Sequence, residues 1–234
     1  MKIVAIITDI EGTTSSIGFV HHVLLPYALK HIGNFVREHH EERDVMRVLL
    51  RISEKSGLAL HNLEGIVKLL QQWMRDDKDD IDLKLLQGMV WEKGYKQGLF
   101  QAHIYPDVLP VLQQWQSSER NLYTFSSASI KAQQLFYRFT ELGDMRLLFS
   151  GYFDSGVGSK RDVQTYANIA QAIALEPENI LYLSDDKDEL DAAEAAGMKT
   201  TWVLRAQDTS LDPERVKAKT SHPVVTGFEQ IVID

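Results

Sequence analysis

The chain has 234 residues, no cysteine, and a formal charge of −8 from 33 acidic and 25 basic side chains. That length supplies a core large enough to fold without staples. The lack of cysteine excludes thiol nucleophiles, thiolate zinc sites and disulfides, and fits a reducing compartment, with the cytoplasm as the default. The negative balance opposes binding to nucleic acid or acidic lipid, so an anionic substrate has to be met by local positive charge, from a bound metal or a placed lysine. Met1-Lys2 leads straight into a short apolar run and then acidic residues, with no longer hydrophobic stretch, so neither a secretory signal nor a membrane span is expected. Nothing in the composition forces association, and a monomer is the expectation.

Ile3 to Thr8 is β-branched and apolar on both faces, as a strand buried inside a parallel sheet should be. No second strand follows nearby. Apolar residues instead recur at helical spacing over Val20 to His39, Asp44 to Ile52, Leu63 to Met74 and Leu83 to Tyr95. Between them, Asp76 to Asp80 reads as a solvated interhelical turn, since it lacks the glycine and distal glutamate of a calcium loop. His21-His22 and His39-His40 have no partners at metal-ligand spacing and read as helix residues. Trp91 and Tyr95, four apart, read as core of this helical region.

From Tyr105 the pattern alternates, predicting a helix over Asp107 to Gln116, a strand over Asn121 to Phe125, a helix over Ile130 to Leu142 and a strand over Leu148 to Phe153. A helix over Asp162 to Ala174, a strand over Asn179 to Leu183, a helix over Glu189 to Ala196 closed by Gly197, and a strand over Thr200 to Leu204 complete it. This is the signature of an α/β fold with a Rossmann-like parallel sheet. The first strand joins the later ones, giving an α/β catalytic core over 1–15 and 102–234 and an inserted helical cap over 16–101.

Ligands of open parallel sheets bind beyond the C-terminal ends of the strands. There the sequence places Asp9 and Glu11, then Ser126-Ser127, then Asp185-Asp186 after "NILYLS", with Lys160 closing the loop "YFDSGVGSK". Two acids at this spacing suit a carboxylate nucleophile and an acid/base partner that protonates the leaving oxygen. Asp185 adds a third carboxylate, and a hard cation such as Mg²⁺ would let the acids coexist. Ser126 or Ser127, with backbone N–H groups entering the next helix, offers donors to phosphate oxygens, and Lys160 supplies a charge. The expected chemistry is phosphoryl transfer to Asp9, then hydrolysis by water activated by Glu11, against an uncatalysed barrier that demands up to about 10²¹-fold acceleration. Asp186 and Glu189 also suit the first turn of a helix through its dipole, and stay outside this assignment.

In order and setting, "DIEGTT", "SSAS", the lysine of "GSKRDVQTY" and "LSDDKDE" resemble the four motifs of the haloacid-dehalogenase-like hydrolase superfamily, across essentially the whole chain. Glutamate at the second acidic position, with "WEKGYKQG" ahead of "YPDVLP", resembles the enolase-phosphatases of methionine salvage. Ser127-Ala128-Ser129 stands where the family pattern reads Ser-Gly-Ser. The resemblance implies a bifunctional, Mg²⁺-dependent enzyme with one metal per chain. It would enolise the small-molecule phosphorylated diketone 2,3-diketo-5-methylthiopentyl 1-phosphate and then dephosphorylate it to the acireductone. It further implies that Asp9 is nucleophile and metal ligand, that Glu11 is acid/base and ligates through its backbone carbonyl, and that Asp185 completes the metal ligands. Ser126, Ser127 and Lys160 would bind substrate. A phosphatase of the same superfamily acting on a sugar phosphate or phosphoglycolate is the alternative.

Overall fold

The structure, a computed structural model, describes residues 2–209 and 219–233. In chain order its main elements are β1 (Ala5–Thr8), α1 (Leu25–His39), α2 (Arg43–Ser56), α3 (Leu63–Arg75), α4 (Ile81–Lys96), α5 (Val108–Ser117), β2 (Asn121–Phe125) and α6 (Ile130–Arg138). They continue with β3 (Gly151–Phe153), α7 (Val163–Ala172), β4 (Ile180–Ser184), α8 (Lys187–Ala195), β5 (Lys199–Val203) and β6 (Val224–Val225). The chain divides into two compact units, Met1–Phe19 with Ala102–Asp234, and Val20–Gln101.

The first unit is built on a six-stranded parallel sheet of order β3-β2-β1-β4-β5-β6. β1 is central because the run Ala5–Thr8 is buried at every position and can only be satisfied between two other strands. Its register aligns Thr8 with Thr124 on one side and with Leu183 on the other, so β1, β2 and β4 end level. Pleat alternation then sorts the side chains. Ala5, Ile7, Ile180 and Tyr182 share one core with Tyr166 and Ile169 of α7 and Leu190 and Ala193 of α8. On the alternate positions Ile6, Leu122 and Leu181 are buried as well. α5 packs on β2, and its Trp115 stacks on Phe228 at 5.7 Å between ring centres.

Several elements are shorter than their apolar patterns predict. α6 stops at Arg138 rather than Leu142, because the backbone at Phe139 and Glu141 pairs with Ala102 instead of continuing the helical ladder. β3 covers only Gly151–Phe153, preceded by a 3₁₀ turn at Arg146–Leu148. α8 begins at Lys187, two residues ahead of the expected start, because Asp186 caps it by accepting from the Asp188 N–H. β6, two residues long, has no counterpart in the sequence reading.

The second unit is four helices around an apolar core of Ala28, Ile32 and Val36 from α1, Val45, Leu49 and Ile52 from α2, Ile66 and Leu70 from α3, and Leu83, Leu86 and Val90 from α4. The three- and four-residue spacings are the helical stripe read from the sequence. α1 starts later than expected: Val20–Leu24 forms a π-helical turn, since Pro26 has no N–H to continue a regular ladder. Trp91 packs against this core and donates its indole N–H to Leu24 O at 2.8 Å. Asp80, expected to be solvated, is buried as the N-cap of α4, accepting from Asp82 N at 2.9 Å and pairing with Lys55 at 2.9 Å. Among the described residues no helix is long and apolar enough to cross a membrane.

Candidate active site

The residue after β1 is Asp9, buried, with its N–H donating to Leu183 O at 2.9 Å. The chain then reverses tightly, Thr13, Thr14 and Ser15 all donating to Ile10 O. Gly12 takes φ +71°, and a Cβ there would lie 2.3 Å from Asp185 Oδ2. Only glycine allows both the conformation and the approach. Glu11, half-buried, stands in the same turn two residues from Asp9.

Lys160 reaches Asp9 from the loop after β3. Its ammonium lies 2.8 Å from Asp9 Oδ1 and 2.8 Å from Glu189 Oε2. Burial acts to lower the lysine's pKa, but Asp9 and Glu189 outweigh it and hold the ammonium charged. Glu189 is itself held by Tyr182 OH at 2.7 Å and Ser184 Oγ at 2.8 Å. Tyr166 fixes the backbone at the lysine, donating to Lys160 O at 2.6 Å.

Ser126, buried two residues beyond Thr124, accepts the Ala128 N–H at 3.1 Å. Ser127 is exposed, and Ser129 caps α6. Asp185 follows β4, its carbonyl accepting the Trp202 indole N–H at 2.8 Å. Burial pushes the Asp185 carboxyl up to about 7, with Glu189 adding to the rise and Lys160 opposing it. Burial likewise pushes Asp9 well above the usual carboxylate range; Lys160 lowers it, and Glu189 and Asp185 raise it further. Asp186 is in an ion pair with Arg161 at 2.8 Å.

Asp9, Lys160 and Asp185 are thus at one edge of the sheet, with Gly12 touching Asp185 and Ser126 at the end of the neighbouring strand. Among the described residues no group of three or more His, Cys, Asp or Glu side chains is arranged as a metal-ligand set. What the site offers a cation is the buried carboxylate of Asp9 and the half-buried one of Asp185, both with a charge that the fold penalises, on either side of a turn that only a glycine could bring so near. With a backbone carbonyl from the same turn, that oxygen-rich donor set fits a hard divalent ion.

A family model described as haloacid dehalogenase-like hydrolase matches residues 3–197. Enolase-phosphatase E1 of Pseudomonas aeruginosa (strain LESB58) is 45% identical over 234 residues, covering 100% of both chains. The protein of that name from Yersinia enterocolitica is 41% identical over 230 residues, 98% of this chain and 97% of its own. The chain belongs to the enolase-phosphatases of the haloacid dehalogenase-like hydrolases.

Among solved structures, UTR4 protein of Saccharomyces cerevisiae superposes with a TM-score of 0.80 at 28% identity, covering 98% of this chain and 100% of that one. CbbY of Rhodobacter sphaeroides, at 15% identity and a TM-score of 0.59 over 97% of this chain and 96% of its own, shares the fold. In this enolase-phosphatase, sequence pattern alone leaves Glu189 outside the site. Its signal was present: helical side chains lean toward the N-terminus, so an acid in the first turn of α8 reaches back to Ser184.

Proposed function

We propose that this enolase-phosphatase converts 2,3-diketo-5-methylthiopentyl 1-phosphate to the acireductone in methionine salvage, by enolisation and then dephosphorylation. The observation that carries this is the buried contact between Lys160 and Asp9 at 2.8 Å, in a chain whose full-length relatives are enolase-phosphatases. Asp9 Oδ attacks the phosphorus and the ester P–O bond breaks, while Glu11 gives its proton to the departing oxygen. Glu11 then takes a proton from water, the water oxygen attacks the aspartyl phosphate, and phosphate leaves with Asp9 restored.

Lys160 neutralises charge on Asp9 and on the phosphoryl oxygens, and Ser126 and Ser127 donate to those oxygens. Mg²⁺, one per chain, would be held by Asp9, Asp185 and the Glu11 carbonyl, and supplies charge stabilisation to the phosphoryl group and to the enediolate. The division into a core over 1–15 and 102–234 and a substrate-selecting cap over 16–101 belongs to the same proposal, as do a monomeric state and a cytoplasmic location. Neither nucleic acid nor membrane is a partner in this reading.

Rapid mixing with the diketone phosphate tests it. Transient enol absorbance should precede phosphate release, and both should require Mg²⁺. Phosphate appearing with no enol signal would instead mark a simple phosphatase of the superfamily.

A further inference from the structure

The turn that carries Asp9, Glu11 and Gly12 is bonded along its downstream half, residue after residue, to other parts of its own unit. Thr13 O accepts from Arg205 Nε at 2.9 Å, and Thr14 O accepts from the Tyr105 N–H at 3.0 Å. The Ser16 N–H donates to His103 Nδ1 at 3.1 Å. Ser16 Oγ donates to Asp208 Oδ1 at 2.7 Å, and the Ile17 N–H donates to Asp208 Oδ2 at 3.0 Å.

The two charged members share one short turn past the C-terminal end of β5, where the Asp208 N–H donates to Arg205 O at 2.9 Å. Each is held in turn. Arg205 is buried between the rings of Tyr105, at 4.2 Å, and Phe228, at 5.1 Å, and its Nη1 bonds both oxygens of Asp107 at 2.9 and 2.8 Å. Asp208 Oδ2 also accepts Tyr105 OH at 2.5 Å. None of these side chains bonds Asp9, Lys160 or Asp185.

We propose that Arg205 and Asp208 are positioning residues for the phosphoryl-transfer reaction: acting from the turn after β5, they fix the backbone of residues 13–17 and thereby aim Glu11 relative to Asp9. The inference rests on the reading of Asp9 and Glu11 as nucleophile and acid/base. The Asp9–Glu11 turn is anchored upstream by β1 and internally by the bonds to Ile10 O. Without the downstream bonds, the orphan carbonyls of Thr13 and Thr14 and the orphan N–H groups of Ser16 and Ile17 would seek water, and the turn would sample other orientations. A displacement of about 1 Å at a reacting group can cost about a hundredfold in rate with no loss of binding contacts.

Asp208 is half-buried and therefore the residue to change. In the full chain, Asp208→Ala should lower kcat by about ten- to a hundredfold while KM for the diketone phosphate and the inhibition constant of inorganic phosphate stay within about threefold. Asp208→Asn, which keeps the shape and an acceptor for the Ile17 N–H, should restore kcat to within about threefold of the parent. Should Asp208→Ala fail to fold, Ser16→Ala, which removes the hydroxyl bond to Asp208 together with the acceptor of the Gly18 N–H, should still lower kcat measurably at constant KM. The proposal is overturned by an Asp208→Ala enzyme with parental kcat, by loss in proportion to the unfolded fraction, or by an Asp208→Asn enzyme no better than the alanine variant. For Ser16→Ala, unchanged kcat overturns it. Asp9→Asn, run alongside, separates this from failure of the underlying reading: turnover retained there removes the nucleophile, whatever Asp208 does.

Discussion

Lys160 lies 2.8 Å from Asp9 and 2.8 Å from Glu189, so one buried ammonium balances two buried carboxylates. Removing it leaves both acids uncompensated. Breaking a buried pair by deleting one partner costs about 3–5 kcal/mol. Lys160→Met should therefore lose stability of that order in urea unfolding and release no measurable phosphate. A variant as stable as the parent would show that the pair is solvated.

Glu189 collects Tyr182 OH, Ser184 Oγ and the Lys160 ammonium on one oxygen. Hydrogen bonds to a charged group contribute about 1.5–3 kcal/mol. Tyr182→Phe, which keeps the ring in the core, should cost an amount in that range and lower turnover modestly. Glu189→Gln should lower turnover more, because Lys160 would then face Asp9 alone. Unchanged turnover in Glu189→Gln would separate this acid from the site.

Gly12 lets the turn after β1 approach the Asp185 carboxylate. A left-handed backbone costs a non-glycine residue about 1–2 kcal/mol, and the added methyl would meet Asp185 Oδ2 at 2.3 Å. Gly12→Ala should lose activity by far more than its loss of stability implies, measured as phosphate release against urea midpoint. Parental turnover would mean that Asp185 can move without consequence.

Asp80 supplies an acid-sensitive element in the helical unit. Burial acts to raise its pKa, but Lys55 and the N–H groups of Leu83 and Asp82 outweigh it and hold the carboxyl below its ordinary value. The folded pKa then lies under the unfolded one of about 3.9, so the ionised form stabilises the fold above that pH, and the contribution is lost as pH falls through the folded pKa. Asp80→Asn retains an N-cap acceptor but not the charge. The stability gap between parent and variant should be constant from neutral pH down to about 4 and close below it. Thermal unfolding across this range reads it, and a gap that does not narrow as the pH falls below about 4 would contradict the assignment.

The central strands were legible because β1 and β4 are apolar at consecutive positions, which only a strand buried on both faces requires. The ends of strands carry Asp9, Ser126 and Asp185, so parallel topology alone brought the candidates to one edge. What stayed hidden depends on partners far apart in the chain. Thr140 pairing with Ala102 cuts α6 short, and the two-residue β6 is defined only by its bonds to β5. Glu189 reads as a first-turn helix acid until Lys160 is seen against it, and Asp208 as a loop acid until it is found on Ser16 and Ile17. Local pattern carries no information about a contact across 192 residues.

In the proposed reaction Asp9 accepts the phosphoryl group. Acid-quenching a single turnover of the diketone phosphate, reducing with borohydride and mapping the peptides should convert Asp9, and no other aspartate, to homoserine. Phosphate released at the full rate with Asp9 unmodified at every quench time would contradict it.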